Sequence, residues 1–142
     1  MKIIGIHNTI NSIEKSLHQV PRLLFDKSNH TLCINRKLLE LFEIKKGDKA
    51  FLIFIEDEKG KLCVARTNDE TIGFKIWWYK TDTRGRIFHM GLIKLLFDKF
   101  KIKNGNVGHH FILNSEFKTV GDYNVLQIIS SSEFKREKVS RY

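Results

Sequence analysis

The chain has 142 residues, of which 42% are hydrophobic, so it is long enough to bury a sizeable core, and we expect a single domain over residues 1–142. Its longest uncharged run is too short and too mixed to cross a bilayer, and the N-terminus lacks the uninterrupted apolar core of a signal peptide. We therefore expect a cytoplasmic protein without a membrane partner.

The charge of the chain is strongly basic. Lys and Arg total 25 against 16 Asp and Glu, which gives a formal net charge of +9. Such a charge favours polyanionic partners, because phosphate backbones attract basic surfaces whatever their sequence. The alternative is that the Lys-rich composition reflects an AT-rich genome, since such genomes encode Lys-rich proteins. Charge alone therefore indicates a class of partner but does not indicate how that partner is bound.

The two cysteines, Cys33 and Cys63, lie in apolar runs, where a thiol packs as a small hydrophobic group. Because cytosolic proteins rarely keep disulfides, we interpret both as core residues rather than as a disulfide or a reactive thiol.

Residues 1–30 are interpreted as an N-terminal arm. Residues 2–6 have the pattern of a short strand, and apolar residues at helical spacing follow before Pro21. These residues are Ile10, Ile13, Leu17 and Val20. The arm therefore consists of a strand and a helix.

Residues 31–67 have the pattern of a strand, a helix and two strands. A strand over 31–34 precedes a short helix over 37–42, and a turn over 45–48 leads to an apolar strand over 50–55. A polar hairpin turn then returns the chain as a strand over 61–66.

The same order recurs over residues 82–130, with a strand over 86–90, a helix over 92–100 and further strands over 107–113 and 124–129. The two units are about 58 residues apart, although a chance match of two amphipathic helices is an alternative explanation. We expect the glycine of each turn to supply a positive φ and the Asp or Asn after it to bond turn amides. The matched positions are Leu38, Phe42, Ile44, Gly47 and Asp48 in the first unit and Leu96, Phe100, Ile102, Gly105 and Asn106 in the second.

An alternating segment over residues 73–80 separates the units and predicts a strand that pairs with the barrel. Phe74, Ile76 and Trp78 share one face of this strand. The opposite face carries Lys75, Trp77 and Tyr79, and a basic turn over 82–86 follows.

The first unit resembles the AbrB and MazE type of swapped-hairpin domain, which is related to the double-psi β-barrels of the cradle-loop barrel superfamily. The matching residues are Ile34, Leu38, Phe42, Ile44, Gly47 and Asp48. In the second unit, Asp82, Gly85, Arg86 and Ile87 follow that family's Asp-x-x-Gly-Arg-Val pattern. The proline that usually ends the first strand is replaced by Asn35 in one unit and by Met90 in the other.

This resemblance implies a mainly β fold with short helices (α+β), in which duplicated strand, helix, strand, strand units form a small β-barrel. In the family, two such units from separate chains interlock into a dimer that binds DNA through a basic face. Here one chain would supply both halves. Related barrels also include enzymes and protein-binding modules, so the fold alone does not define the function.

No residue pattern predicts catalysis, a metal site or a cofactor. His109 and His110 are neighbours on a predicted strand and point to opposite faces, so they do not ligate one ion together. The acidic residues at 56–58 lie in a hairpin turn, and Ser130–Ser132 has the pattern of a polar exit loop. No glycine pattern matches a phosphate-binding loop or a dinucleotide fingerprint. We therefore predict that the protein is not an enzyme and uses neither metal nor cofactor.

The best candidate binding segment is 71–90, where basic residues alternate with aromatic ones. This combination neutralises phosphates and stacks on bases, so we predict a non-enzymatic DNA-binding protein of transcription-regulator type. The residues assigned to DNA are Arg84, Arg86, Lys75, Lys80, Arg36 and Lys37, with Trp77 and Tyr79 as aromatic contacts. The alternative is a protein-interaction or structural module, in which the same aromatic residues bind a second copy of the chain or another protein.

Overall fold

The computed structural model describes residues 19–27, 30–103 and 107–134. Within these ranges the chain is mainly β-structure, with ten strands and two short helices. The helices are α1 (Arg36–Leu41) and α2 (Met90–Lys99). The strands are β1 (Arg22–Asp26), β2 (Thr31–Ile34), β3 (Phe51–Glu56), β4 (Leu62–Thr67), β5 (Phe74–Lys75), β6 (Trp77–Trp78), β7 (Gly85–Ile87), β8 (Gly108–Leu113), β9 (Lys118–Val120) and β10 (Tyr123–Phe134).

The strands form a nearly closed antiparallel β-barrel. Their order is β5-β3-β4-β10-β8-β1-β2-β7-β6, and β9 pairs with β10 beside this path. β5 and β6 lie at the two ends of this order but are separated in the chain only by Ile76. The N–H of Ile76 donates to the carbonyl of Ala50 at 3.0 Å, so this short segment joins the two edges. The predicted mainly β barrel with short helices is confirmed.

The barrel interior is filled by alternate residues of the strands and by the inner faces of both helices. In β1, for example, Leu23 and Phe25 are buried in the core, whereas Arg22 lies on the opposite face. Each fully buried aliphatic or aromatic side chain contributes about 1.5–3 kcal/mol of transfer free energy. The helices contribute Leu38, Leu39, Leu92, Ile93 and Leu96 to this cluster.

The two helices end in the same set of hydrogen bonds. After α1, the N–H of Ile44 donates to the carbonyl of Leu39 at 2.9 Å, and Glu43 adopts a left-handed conformation with φ 57°. This arrangement is the Schellman motif, which satisfies carbonyls left over at a helix C-terminus. After α2, the corresponding residues are Ile102, Phe97 and Lys101, with a bond of 2.8 Å and φ 54°.

The strand predicted over residues 73–80 is interrupted at Ile76, where the segment changes partner from β3 to β7. Its alternation is as expected: Ile76 is buried, with Phe74 and Trp78 packed against the core. The opposite set, Lys75, Trp77 and Tyr79, is exposed.

The sequence pattern does not predict β1, since it assigns residues 1–30 to an N-terminal arm. β1 lies between β2 and β8 and pairs with both. With only two inward apolar residues before Asp26, its pattern is too short to predict a strand, and its neighbours in the sheet stabilise it. Residues 1–18, with the predicted strand over 2–6 and most of the predicted helix, lie outside the described residues.

The prediction of an exit loop at Ser130–Ser132 is wrong, because β10 continues through these residues and pairs them with β8. A register shift between Ile128 and Ser130 precedes this pairing. The pairing uses backbone hydrogen bonds, so it does not require apolar side chains at the serines. The strand predicted over 86–90 ends earlier, at Ile87, since His89 caps α2. Gly105 and Asn106 lie outside the described residues.

Across the described part of the chain, no helix combines the length and apolar character that a membrane crossing requires.

Candidate nucleic-acid interface

Three large aromatic side chains are exposed side by side on one surface of the barrel. Trp77 is 48% exposed, Tyr79 43% and Phe88 45%. The Phe88 ring centroid lies 6.4 Å from the centroid of Trp77 and 6.4 Å from that of Tyr79. We call these three residues together with Lys75 the aromatic–basic surface. Contiguous exposed apolar groups of this kind mark interaction sites.

The local sequence explains why Trp77 is exposed. In β6, Trp77 and Trp78 point to opposite faces, and Trp78 packs against the core. The indole Nε1 of Trp78 donates to the carbonyl of Asp48 at 2.9 Å, which anchors the strand to the turn after α1. Asp48 in turn accepts the N–H of Lys45 through its side chain, and Gly47 between them has φ 90°.

Cations lie against the exposed rings. The Nζ atom of Lys75 is 4.0 Å from the Trp77 ring centroid, and the guanidinium carbon of Arg86 is 4.4 Å from the ring centroid of Tyr79. Both are cation–π distances. The ammonium of Lys46 donates to the carbonyl of Lys80 at 2.8 Å, so the lysine-rich turn after α1 borders the same surface.

Arg86 is held by Asp82. Its side chain is only 10% exposed, and its Nη2 atom lies 2.7 Å from Oδ2 of Asp82. Arg84 shares this carboxylate at 2.9 Å and is 44% exposed. The hydrogen bonds from Arg84 and Arg86 hold the pKa of Asp82 well below its usual range. Within the described residues, the buried Nε atom of Arg86 has no hydrogen-bond partner.

Gly85 is required by the close approach of Ile76. A Cβ atom at position 85 would lie 2.6 Å from Cγ2 of Ile76, which is too close for any side chain. The Asp82, Gly85 and Arg86 pattern therefore has a structural basis: the carboxylate fixes the turn, the glycine admits Ile76 and the arginine binds the carboxylate.

A further basic residue, Arg22, lies near Arg84 and was not among the predicted site residues. Leu23 pairs with Ile34, which pairs with Gly85, so the sheet brings Arg22 near Arg84. Burial lowers the pKa of Arg22, and the charge of Arg84 lowers it further. The Nη1 atom of Arg22 donates to Nδ1 of His110 at 3.2 Å. Burial, with smaller contributions from Arg22 and His109, lowers the pKa of His110 to about 4. His110 is thus neutral at pH 7.

Arg36 and Lys37 lie in the first turn of α1, away from the aromatic rings. The Arg36 side chain is 79% exposed and forms an ion pair with Glu40 at 3.1 Å. Because Ile34 at the end of β2 pairs with Gly85, α1 begins beside the turn that carries Arg84. The structure thus places Arg36 and Lys37 nearer to the 82–86 turn in the sheet order than to β5.

The acidic hairpin turn at 56–58 is occupied by ion pairs. Asp57 accepts a hydrogen bond from Lys118 at 2.6 Å and bonds from the backbone N–H groups of Lys59 and Lys61. These bonds, that of Lys118 first, lower the pKa of Asp57 to about 2. Over residues 19–27, 30–103 and 107–134, no three His, Cys, Asp or Glu side chains are grouped as metal ligands would be.

Sequence reasoning placed Lys75, Trp77 and Tyr79 on one face, and the structure brings them together with Phe88. Phe88 is not among the predicted site residues, although alternation in the strand predicted over 86–90 would place it on the same face as Arg86. Comparison of the chain with protein-family models, with curated proteins and with solved structures gave no significant match in any of the three.

Proposed function

We propose that this protein is a non-enzymatic DNA-binding protein that holds DNA against the aromatic–basic surface. The observation that carries the proposal is the stacking of Lys75 on the exposed ring of Trp77, beside Tyr79 and Phe88. Aromatic side chains stack on bases or pack against sugars, while neighbouring cations neutralise phosphates. The net charge of +9 supports the same class of ligand.

The roles of the basic residues follow from their exposure. Lys75, Lys80 and Arg84 are exposed and contact phosphates, and Arg36 and Lys37 extend the path beside Arg84. Arg86 was assigned to a phosphate by the sequence, but its burial and its ion pair with Asp82 support a positioning role for it beneath Tyr79.

We further propose that the two units arose by duplication and that the chain is related to AbrB and MazE type domains, which would make it a transcription regulator. The support is local: the Schellman bonds after α1 and α2 match one for one at an offset of about 58 residues. The N-caps are of the same type, since the side chains of Asn35 and His89 each accept the N–H three residues on. They are about 54 residues apart instead of 58, because α1 has 6 residues and α2 has 10.

The test is binding of labelled duplex DNA across a salt series with nonspecific competitor present. We expect binding that falls with salt, and a slope that Lys75→Ala reduces by about one, because one phosphate contact is lost. Tyr79→Ala should lower affinity without changing the slope. Leu95→Ala is the matched control. Leu95 is 47% exposed on α2 and belongs neither to the aromatic–basic surface nor to the basic residues assigned to phosphates. Absence of binding at low salt would overturn the proposal.

A second candidate is a protein-interaction module, which is favoured by the exposed apolar residue Ile72 (52%) next to Trp77. Large aromatic residues are typical anchors of protein interfaces. Under this alternative, light scattering after size exclusion at moderate salt should show an oligomer that Trp77→Ala dissociates. A monomer at all concentrations counts against self-association.

A further inference from the structure

A cleft opens within the aromatic–basic surface, between Trp77 and Phe88. Its volume is about 360 Å³, within the range of small-ligand clefts. The two rings meet edge to face at 80°, and Ile87 and Gly73 also line the cleft. Polar groups are contributed by Thr71, Lys75 and His89. The lining thus combines aromatic side chains with a cation and hydrogen-bonding groups.

His89 lines this cleft and can supply a hydrogen-bond donor. Its Nδ1 atom accepts the N–H of Leu92 at 3.0 Å as the N-cap of α2, so Nδ1 carries no proton and the proton of the neutral ring is on Nε2. The ring also packs edge to face against Phe74 at 4.8 Å, which holds it in place. In the described part of the chain, Nε2 has no hydrogen-bond partner.

We propose that this cleft takes one unpaired nucleobase of a single-stranded nucleic acid. The base stacks against the aromatic rings, and His89 Nε2–H donates to an acceptor on the edge of the base. Lys75, which is exposed, moves from the Trp77 ring to the adjacent phosphate. Nucleobases have both the flat π-face and the edge acceptors that this lining matches.

This inference rests on the proposed function and makes it more specific. In a duplex, each base is stacked on its neighbours and its pairing edge is occupied, so it does not enter a cleft of this kind. The protein should therefore prefer single strands, with Lys75 and Lys80 contacting the backbone on either side of the captured base.

The test uses three labelled probes: oligothymidine of about 10 nucleotides, which is within the usual site size, its duplex with oligoadenine, and the same backbone with abasic sites. Anisotropy titrations should show oligothymidine binding about tenfold or more tighter than the other two, as expected for the stacking of one base. Thymine oxygens accept the bond from His89.

Two variants test whether the cleft is responsible for the preference for oligothymidine. Phe88→Leu removes the ring but keeps an apolar side chain, and His89→Ser keeps an N-cap but removes the imidazole. Each should weaken oligothymidine binding about fivefold or more, within the range of about 1–3 kcal/mol per captured base. Because His89 is not part of the aromatic–basic surface, His89→Ser should leave duplex affinity unchanged. Leu95→Ala should change neither. Far-UV circular dichroism and urea midpoints check folding, and His89→Ser together with the abasic probe decides the outcome if Phe88→Leu does not fold.

The outcomes separate the two proposals. Equal binding of all three probes, with no effect of either variant, overturns the nucleobase cleft and leaves DNA binding by the surface intact. Absence of binding of every probe at low salt overturns the proposed function and the cleft together.

Discussion

Trp77 and Arg86 lie directly opposite each other on β6 and β7. Trp77 carries the ammonium of Lys75 on its ring, and Arg86 supports Tyr79 while its other end is fixed by Asp82. This one cross-strand pair therefore links the exposed aromatic surface to a partly buried ion pair. Changes to the ion pair should reach the surface through Tyr79.

The first prediction concerns which tryptophan reports binding. Trp77 is 48% exposed on the proposed interface, whereas the indole of Trp78 is bonded to the Asp48 carbonyl. Base stacking should quench the fluorescence of Trp77, so quenching by DNA should persist in Trp78→Phe and disappear in Trp77→Phe. Steady-state fluorescence titration measures this. Quenching that survives in Trp77→Phe would place the ligand elsewhere.

The second prediction concerns the Asp82 carboxylate. Asp82→Asn leaves the buried Arg86 guanidinium without its charge partner, and we expect it to lower the free energy of unfolding by about 2–4 kcal/mol at pH 7. Because the pKa of Asp82 is depressed in the folded state, its stabilisation is present above the ordinary pKa near 4 and is lost as pH falls below it. Urea unfolding at pH 7 and at about pH 3 should therefore show a smaller acid-induced loss in Asp82→Asn than in the wild type. An equal loss in both proteins contradicts the prediction.

The third prediction concerns His110. Its pKa is about 4 in the folded protein, against about 6.5 in an unfolded chain. Between these values the unfolded state binds a proton that the folded state does not. The contribution of His110 to the free energy of unfolding is therefore fully present above pH 6.5 and is lost as the pH falls toward 4. We expect a loss of about 1–2 kcal/mol between about pH 7.5 and 5. His110→Gln retains an acceptor for Arg22 but does not titrate, so urea unfolding of this variant should lack that loss.

The fourth prediction concerns the ends of the two helices. Glu43 and Lys101 adopt positive φ values that favour glycine. Glu43→Gly and Lys101→Gly should each raise the free energy of unfolding by about 0.5–1 kcal/mol. Gly47→Ala, at φ 90°, is the opposite change and should lower it by about 1 kcal/mol. Urea midpoints measure all three, and a destabilised Glu43→Gly would argue against the left-handed cap.

The fifth prediction concerns the thiols. Cys33 and Cys63 are buried and free, and burial raises the pKa of both. A low thiolate fraction and poor access should keep both unreactive toward an aromatic disulfide reagent in the native protein. Both should react at once in denaturant. Rapid labelling of one thiol under native conditions would show that its strand opens locally.

Much of the site could be predicted from the sequence, because it depends on local geometry. Alternation along residues 73–80 is sufficient to place Trp77 opposite Trp78, and so to expose Lys75 and Tyr79 on the same side. The roles of the arginines could not be predicted in this way. Arg84 and Arg86 are equally basic in the sequence, yet pairing of β7 with β2 and β6 buries one and exposes the other.

The sequence by itself determined the short-range features of this protein: the helices, their caps and the inward and outward faces of the strands, all of which follow from interactions within a few residues. Only the tertiary structure decided which strands are neighbours. The apolar pattern of β1 is too short to predict a strand, and the serines of β10 have no apolar pattern. Both segments are strands because each one pairs with β8 through backbone hydrogen bonds. Pairing of the consecutive strands β6 and β7 brings Phe88 to Trp77. Long-range pairing of β1 with β2 and of β2 with β7 brings Arg22 toward Arg84.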